Sequence, residues 1–403
     1  MNHDYMIPLE PENLSKKIVL LVMDGLGGLP MEPGGKTELE IANTPNMDAL
    51  AEKSTLGLHV PVRNGVIPGS GPAHLSLFGY DPVQYEVGRG VLSALGVDFD
   101  LQPSDVAARG NFCSIDENGV ITDRRAGRIS SEEGLRLCNL LNENINVPGA
   151  EIFIAHEKEY RFLFVIRADG LSANIQETDP QVVGKGPLTS IAFDAKSKKT
   201  AKIVQEFSRQ AKQILSNEFP ANMLVLRGIA QLPDWPKLPD VFNLKPIAIA
   251  MYPMYRGVAK LVGMESPSVA QSYEEEIDML EKYWDNYDFF FVHIKKTDSY
   301  GEDGAFDKKV QEIEKVDALL PRILALDPSV LIITGDHSTP SLMKSHSWHP
   351  VPVLLYSKLC RPDGIASFGE AACRGGGLGV RFPGYELMPL AMAHAGRLEK
   401  FGA

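Results

Sequence analysis

The sequence predicts an α/β fold built around a mostly parallel β-sheet. Residues 18–23 form an uninterrupted apolar run, which is typical of a strand buried on both faces. Similar runs over residues 287–294 and 329–335 flank an amphipathic helix predicted over residues 306–326. A strand, a helix and a second strand in this order form a right-handed crossover unit of a parallel sheet. The length of 403 residues further indicates two domains, or one domain with a large insertion.

Acidic residues follow each of the three apolar runs. Asp24 comes directly after the first run, Asp298 after the second and Asp336-His337 after the third, with His346 a few residues later. In open α/β sheets, ligands bind at the carboxyl ends of the strands, so we expect these side chains to meet at one edge. Carboxylates and imidazoles together suit divalent metals, and catalytic sites of this type often hold two ions. The alternative is that the acids only cap turns.

A second pattern is the glycine-flanked serine of Gly69-Ser70-Gly71. Glycine on both sides permits a tight turn that exposes the hydroxyl, and a serine beside a divalent metal can act as a nucleophile. The segment is neither a Walker loop nor the nucleophile elbow of a hydrolase. Two alternatives for this segment remain open: a turn that binds phosphate through its backbone, or a loop without a functional role. His74, four residues on, could orient a substrate or cap the following helix.

The middle of the chain differs from the rest in its short predicted strands and its many charged residues, which indicates an inserted domain. Residues 105–185 are rich in short strands and charges, so we assign them to a smaller inserted α/β domain, and residues 1–104 and 186–403 to the core. A further amphipathic helix is predicted over residues 196–217. The inserted domain carries a basic cluster, Arg109, Arg124, Arg125, Arg128, His156 and Arg161. Guanidinium groups match phosphate and carboxylate oxygens, so the insertion could act as a lid, although a solvated loop is the usual reason for a charge run.

Composition excludes some function classes. The net charge of −12 argues against a nucleic-acid-binding surface but does not exclude a small anionic substrate. The four cysteines lie far apart without CxxC spacing, which indicates free thiols in a reducing compartment. Residues 1–17 contain no long apolar run, so we expect neither a signal peptide nor a membrane anchor, and a cytoplasmic location.

Read together, the motifs of this chain resemble a known family. They are Met23-Asp24-Gly25-Leu26-Gly27, Ala42-Asn43-Thr44-Pro45-Asn46, Pro68-Gly69-Ser70-Gly71-Pro72-Ala73-His74, Asp123-Arg124-Arg125-Ala126-Gly127-Arg128, Glu177-Thr178-Asp179-Pro180, Lys295-Lys296-Thr297-Asp298, Gly335-Asp336-His337-Ser338-Thr339-Pro340, His346-Ser347-Trp348-His349 and Gly376-Gly377-Leu378-Gly379. The set is similar to that of the cofactor-independent phosphoglycerate mutases, in the shorter archaeal-type branch of the alkaline phosphatase superfamily. The resemblance covers nearly the whole chain. It implies a three-layer alkaline-phosphatase-like core with an inserted lid domain.

The resemblance also implies two metal sites. One would use Asp24, Ser70, Asp336 and His337, and the other Asp298, His346 and a histidine that the family places four residues after Asp298. This chain has Glu302 at that position, with Asp303 next to it. A carboxylate can still bind a divalent metal, so we expect Glu302 to be a ligand. Manganese is the expected ion, with Mg²⁺, Co²⁺ and Zn²⁺ as alternatives, and no bisphosphoglycerate cofactor is expected.

The activity implied by the resemblance is the interconversion of 3-phosphoglycerate and 2-phosphoglycerate through a phosphoserine at Ser70. The expected substrate contacts are His74, Arg124, Arg125, Arg128, His156, Arg161 and Arg227. Two alternatives stay open: a metal-dependent phosphatase or other phosphomutase on the same core, and a non-catalytic metal-binding relative. The expected partner is the small-molecule substrate, without nucleic acid or membrane, and a homo-oligomer is left open.

Overall fold

The computed structural model describes residues 6–9, 15–267 and 269–402. The chain divides into two compact units, one drawn from Met1–Glu86 and Trp235–Ala403 and the other from Val87–Asp234. Residues 1–5 and 10–14 of the N-terminal segment, where we expected no membrane anchor, lie outside the described residues. Among the residues that are described, no helix combines the length and the apolar character needed to cross a membrane.

Strands and helices alternate along most of the chain. In chain order the strands are β1 (Ile18–Met23), β2 (Ser54–Val60), β3 (Val106–Ile115), β4 (Ile121–Asp123), β5 (Glu151–Lys158), β6 (Arg161–Arg167), β7 (Met223–Ala230), β8 (Pro246–Ala250), β9 (Phe289–Ile294), β10 (Val330–Thr334), β11 (Val351–Ser357) and β12 (Gly379–Pro383). The α-helices are α1 (Glu38–Ile41), α2 (Pro45–Ala51), α3 (Ser70–Leu77), α4 (Arg89–Gly96), α5 (Ser131–Asn144), α6 (Lys198–Ile214), α7 (Leu238–Phe242), α8 (Pro253–Leu261), α9 (Tyr273–Tyr283), α10 (Lys296–Asp303), α11 (Phe306–Ala325), α12 (Glu370–Cys373) and α13 (Leu387–His394).

The first unit contains a mixed, mostly parallel sheet with strand order β12-β2-β11-β10-β1-β9-β8. Strand β11 is antiparallel to both of its neighbours, and the other pairings are parallel. One face of β1 packs in a core with α11, through residues such as Val19, Leu21 and Ile313. On the opposite face, Phe291 of β9 lies in edge contact with Phe78 at the end of α3. Helices therefore cover both faces, which confirms the predicted α/β fold with a mostly parallel sheet.

The three strands predicted to carry acids are neighbours at the centre of this sheet. Strand β1 pairs in parallel with β9, with Met23 opposite Ile294, and with β10, with Val22 opposite Thr334. All three strands are buried along their whole length, as their apolar runs predicted. Because they are parallel and in step, the residues that follow them lie at the same sheet edge.

The second unit has its own antiparallel sheet and core. The strands follow the order β4-β3-β6-β5, and β7 pairs with residues 107–113 of β3. Phe162 and Phe164 of β6 pack with Phe207 of α6 and Leu137 of α5. The insertion predicted over residues 105–185 is thus too short, because α4, α6 and β7 also belong to this unit. These elements join the unit through tertiary contacts. The amino-acid composition around residue 185 therefore did not reveal that the unit continues to Asp234.

Candidate metal centre and arginine cluster

Three buried carboxylates lie at the carboxyl ends of β1, β9 and β10. Asp24 and Asp336 are fully buried, and Asp298 is almost so. The backbone N–H of Gly25 donates to Asp336 Oδ1 at 3.0 Å, and Thr297 Oγ1 donates to the Asp24 carbonyl at 2.6 Å. These bonds tie the loops after the three strands together and hold the acids in place.

Hydrogen bonds fix which nitrogen of two histidines is free. Thr339 Oγ1 donates its single proton to Asp298 Oδ1 at 2.7 Å, so at its 3.0 Å contact with His337 Nδ1 it acts as the acceptor. His346 Nδ1 lies 2.8 Å from the Pro68 carbonyl, which can only accept, so this nitrogen also carries the proton. In the neutral form of each ring, Nε2 is therefore the unprotonated nitrogen that can bind a metal.

The ligand atoms form two groups that share His337. Asp24, Asp336 and His337 form one group, and Asp298, His337 and His346 form the other, each with ligand atoms within 4.8 Å of one another. His337 Nε2 lies 3.4 Å from Asp24 Oδ1 and 3.1 Å from Asp336 Oδ2. Neither of these two buried oxygens has a hydrogen-bond partner within the described part of the chain. Orphaned buried carboxylate oxygens facing an unprotonated imidazole nitrogen are a donor set that fits a divalent cation.

The electrostatics keep the acids charged despite their burial. Burial alone would raise the pKa of Asp24, but Lys295, His293 and His337 outweigh it and hold this pKa well below its usual range. For Asp336, burial and Asp24 raise the pKa, while His337 and His74 lower it further, so the net shift is downward. Burial lowers the pKa of His337, which keeps the ring neutral. The site thus presents anionic oxygens and a neutral imidazole, the forms in which metals are bound.

Ser70 begins α3 and faces this centre. Its Oγ lies 3.2 Å from His337 Nε2, and Gly69 precedes it as the N-cap residue. The first N–H groups of a helix lack intrahelical partners, and the helix dipole favours an anion at this end. The hydroxyl therefore lies at the N-terminal end of a helix, a position that favours a bound phosphoryl group.

His74 does not have the surface needed for the predicted substrate contact. Its side chain is fully buried, with Nδ1 2.8 Å from the Ser70 carbonyl and 3.2 Å from Asp336 Oδ2. Burial lowers the pKa of His74, but Asp336 and Asp24 raise it by more, so the net shift is upward. The structure connects His74 to Ser70 and Asp336, and its complete burial leaves no surface for a direct substrate contact.

Glu302 lies at the edge of the second group. It follows Asp298 by one turn of α10, and its Oε1 lies 3.8 Å from His346 Nε2. About half of the side chain, 55%, is exposed to solvent. Partial burial and the charge of Asp298 raise its pKa. Within the described residues the compact group consists of Asp298, His337 and His346, with Glu302 beside it.

Several residues that support the centre were missed from the sequence. Lys295 donates to Asp24 Oδ2 at 3.0 Å and also to Asp298. Thr339 fixes His337 as described above. His293, at the end of β9, lies with Nε2 3.4 Å from Asp24 Oδ2 and its ring stacked on Tyr255. Lys309 of α11 donates to the carbonyls of Gly25, Gly27 and Thr339 and so connects the loops after β1 and β10. The position of Lys295 directly after a buried strand was the one local signal available.

The second unit gathers arginines around the centre of its own sheet. Arg109 of β3 and Arg227 of β7 are cross-strand neighbours, and Arg89 begins α4. Desolvation by the surrounding protein and the charges of Arg109 and Arg161 lower the pKa of Arg89 to about 10. Burial and Arg89 lower the pKa of Arg227 to about 10. Guanidinium groups this close repel one another, and a bound anion would relieve that repulsion.

Arg124 joins this cluster through a carboxylate. Its Nε and a terminal nitrogen donate to Asp179 at 3.3 and 2.7 Å, which links the two motifs Asp123–Arg128 and Glu177–Pro180. Glu177 Oε1 in turn accepts from the backbone N–H of Gly228, next to Arg227. Arg89 was not predicted. The glycines on both sides of Arg89, in Gly88-Arg89-Gly90, were the local sequence signal available.

The other predicted basic residues have different surroundings. Arg125 and Arg128 are exposed between β4 and α5. His156 is half-buried on β5, and its Nε2 lies 3.1 Å from the Glu159 carbonyl. The structure therefore brings Arg124, Arg161 and Arg227 together with Arg89 and Arg109, and places Arg125, Arg128 and His156 in less confined positions.

Comparison with known proteins identifies the family of this chain. A family model described as 2,3-bisphosphoglycerate-independent phosphoglycerate mutase matches residues 51–222. A probable 2,3-bisphosphoglycerate-independent phosphoglycerate mutase of Thermosipho africanus is 51% identical over 96% of both chains. Among solved structures, a Pyrococcus horikoshii protein is 32% identical with a TM-score of 0.82, covering 96% of this chain and 99% of that one. The cofactor-independent phosphoglycerate mutase of Thermoplasma acidophilum is 27% identical with a TM-score of 0.69, covering 94% of this chain and 100% of that one. By the extent and identity of these matches, the chain belongs to the 2,3-bisphosphoglycerate-independent phosphoglycerate mutase family.

Proposed function

We propose that this chain interconverts 3-phosphoglycerate and 2-phosphoglycerate through a phosphoserine at Ser70, without 2,3-bisphosphoglycerate. The observation that carries the proposal is the position of Ser70 Oγ, 3.2 Å from the His337 nitrogen that the two candidate metal groups share. Family membership supports the overall reaction, and the geometry around Ser70 supports this route to it.

The chemistry proposed for Ser70 is a double transfer. Ser70 Oγ attacks the phosphorus, the bond from phosphorus to the 3-oxygen breaks, and the released hydroxyl takes up the proton that Ser70 gives up. The glycerate then presents its 2-oxygen to the phosphoserine, and the bond from phosphorus to Ser70 Oγ breaks. Ser70 regains its proton, so the cycle consumes no water and no cofactor. The N-terminus of α3 favours the negative phosphoryl group in both steps.

The proposed metal ligands are Asp24, Ser70, Asp336 and His337 for one ion and Asp298, Glu302 and His346 for the other. Mn²⁺ is the proposed occupant, with Mg²⁺, Co²⁺ and Zn²⁺ as alternatives. When bound, two such ions would supply positive charge for the transferring phosphoryl group. The orphaned oxygens of Asp24 and Asp336 and the unprotonated nitrogens of His337 and His346 support this assignment.

The arginines of the second unit are the proposed substrate contacts. We propose this role for Arg124, Arg161 and Arg227, with Arg89 and Arg109 added. Their mutual repulsion suits a phosphoglycerate, which carries an anionic phosphate and an anionic carboxylate. Arg125, Arg128 and His156 remain proposed contacts from the family resemblance. Exclusion of water from the phosphoserine is required, since hydrolysis would make the enzyme a phosphatase.

The test compares Ser70→Ala with Ser76→Ala, a matched change on the same helix. The Ser76 hydroxyl is buried and lacks a hydrogen-bond partner among the described residues, so its loss should leave turnover close to wild type. We expect Ser70→Ala to lower mutase turnover on the order of a thousandfold or more, because the nucleophile is lost. Released phosphate is measured in the same reactions. Retained mutase turnover in Ser70→Ala would contradict the role of Ser70 as nucleophile. Wild-type enzyme that releases phosphate without forming 2-phosphoglycerate would indicate a phosphatase.

A further inference from the structure

Lys295 links the two candidate metal groups. It is the residue directly after β9, and its ammonium group donates to Asp24 Oδ2 at 3.0 Å and to Asp298 Oδ2. Asp24 belongs to one metal group and Asp298 to the other. A single side-chain cation is thus hydrogen-bonded to one carboxylate of each group.

The two carboxylates divide their oxygens in the same way. The Oδ1 atoms face the imidazole ligands: Asp24 Oδ1 lies 3.4 Å from His337 Nε2, and Asp298 Oδ1 lies 3.5 Å from His346 Nε2. The Oδ2 atoms of both residues face Lys295. The ammonium group therefore lies on the far side of each carboxylate from the histidine ligands.

The positive charge of Lys295 affects both the carboxylates and any divalent ion that binds to them. In the absence of other cations, three buried carboxylates at one sheet edge would repel one another strongly, and Lys295 relieves that repulsion. A divalent ion that enters either group meets the positive charge of Lys295 a short distance away. Because Asp24 and Asp298 are buried, this repulsion is screened less than it would be between exposed charges. The same side chain that stabilises the empty centre must therefore weaken the binding of an ion to it.

We propose that Lys295 is a resident cation that stabilises the metal-free centre and limits its affinity for divalent ions at both groups. The inference rests on the proposed function to the extent that Asp24 and Asp298 are taken as metal ligands. It differs from a simple supporting role, because loss of a supporting residue weakens metal binding, whereas loss of Lys295 strengthens it.

The experiment uses the full chain with Lys295→Met, and Lys296→Met as the matched control. Lys296 is the next residue, is exposed, and lies over the ring of Tyr273 rather than beside the carboxylates. Melting temperatures are recorded in chelator and again with saturating Mn²⁺, and the Kd for Mn²⁺ is measured by calorimetry. Lys295→Arg keeps the charge and serves as the conservative variant. Lys295→Gln keeps a hydrogen-bonding amide and replaces the methionine variant if that one does not fold in chelator.

We expect Lys295→Met, or Lys295→Gln in its place, to melt below wild type in chelator and to gain more stability from Mn²⁺ than wild type does. We also expect its Kd to fall at least tenfold, while Lys295→Arg and Lys296→Met stay near wild type. An unchanged or weaker affinity in the uncharged variant would overturn the inference about Lys295. A wild-type protein that gains no stability from Mn²⁺ would instead contradict the metal assignment itself, so the two failures are distinguishable.

Discussion

Replacing Thr339 by valine removes one hydroxyl that organises both candidate metal groups. The Thr339 side chain is fully buried, and valine has nearly the same shape, so the change opens no cavity. The hydroxyl donates to Asp298 Oδ1 at 2.7 Å and accepts from His337 Nδ1 at 3.0 Å. In Thr339→Val both partners become buried polar groups without a hydrogen bond, each at a cost of about 1–3 kcal/mol.

The metal affinity should fall as well, because His337 is no longer held in the tautomer that leaves Nε2 free. Loss of a hydrogen bond that orients a ligand typically lowers metal affinity by about 10–100-fold. The assay is Mn²⁺ calorimetry on metal-free protein, together with the free energy of unfolding in urea. Thr339→Ser retains the hydroxyl and should bind Mn²⁺ almost as wild type does. Wild-type affinity in Thr339→Val would refute the assignment of His337 Nε2 as a metal ligand.

Two further predictions concern other parts of the chain. Burial raises the pKa of Glu370 to about 7, above its ordinary value of 4.5, even though Thr37 and the Gly28 N–H donate to the carboxylate. The folded state therefore favours the protonated form, whose stabilising contribution is fully present below pH 4.5 and is lost as the pH rises through 7. Glu370→Gln cannot ionise, so its free energy of unfolding should exceed that of wild type above pH 7 by an amount on the order of 3 kcal/mol. This difference should shrink towards pH 5. Urea titrations at several pH values measure it, and a difference that stays constant with pH would contradict the prediction. Arg89→Met should raise KM for phosphoglycerate by about tenfold or more while the Mn²⁺ Kd is unchanged, because Arg89 lies among the proposed substrate contacts. The control is Arg136→Met, since Arg136 is an exposed arginine of the same unit paired with Glu133, and equal KM values in the two variants would argue against a substrate contact at Arg89.

The framework of the site was predictable from the sequence because its signals are local. Buried parallel strands are continuous apolar runs, and the residues that follow them necessarily meet at one sheet edge. Asp24, Asp298, Asp336 and His337 could therefore be placed before the structure was known. Ser70 was placed by its flanking glycines.

The remaining features depend on tertiary contacts that leave little trace in the sequence. The tautomer of His337 is fixed by Thr339, and the proton that Thr339 can give is committed to Asp298 on another element. Arg89 joins Arg227 only because α4 packs beside β7 within the second unit. His74 had a spacing compatible with a substrate contact, and only the structure shows that its side chain is fully buried. The C-terminal end of the second unit was predicted too early in the chain. The reason is that β7, which lies beyond residue 185, pairs with β3.

The most direct test of the central claim is to trap the phosphoserine. Wild-type enzyme with Mn²⁺ is mixed with 3-phosphoglycerate, quenched in acid during turnover, digested and examined by mass spectrometry. We expect a phosphorylated peptide with the phosphate on Ser70, absent from Ser70→Ala and present in Ser76→Ala. Active wild-type enzyme in which Ser70 stays unmodified throughout turnover, or in which the phosphate is found on another residue, would contradict it.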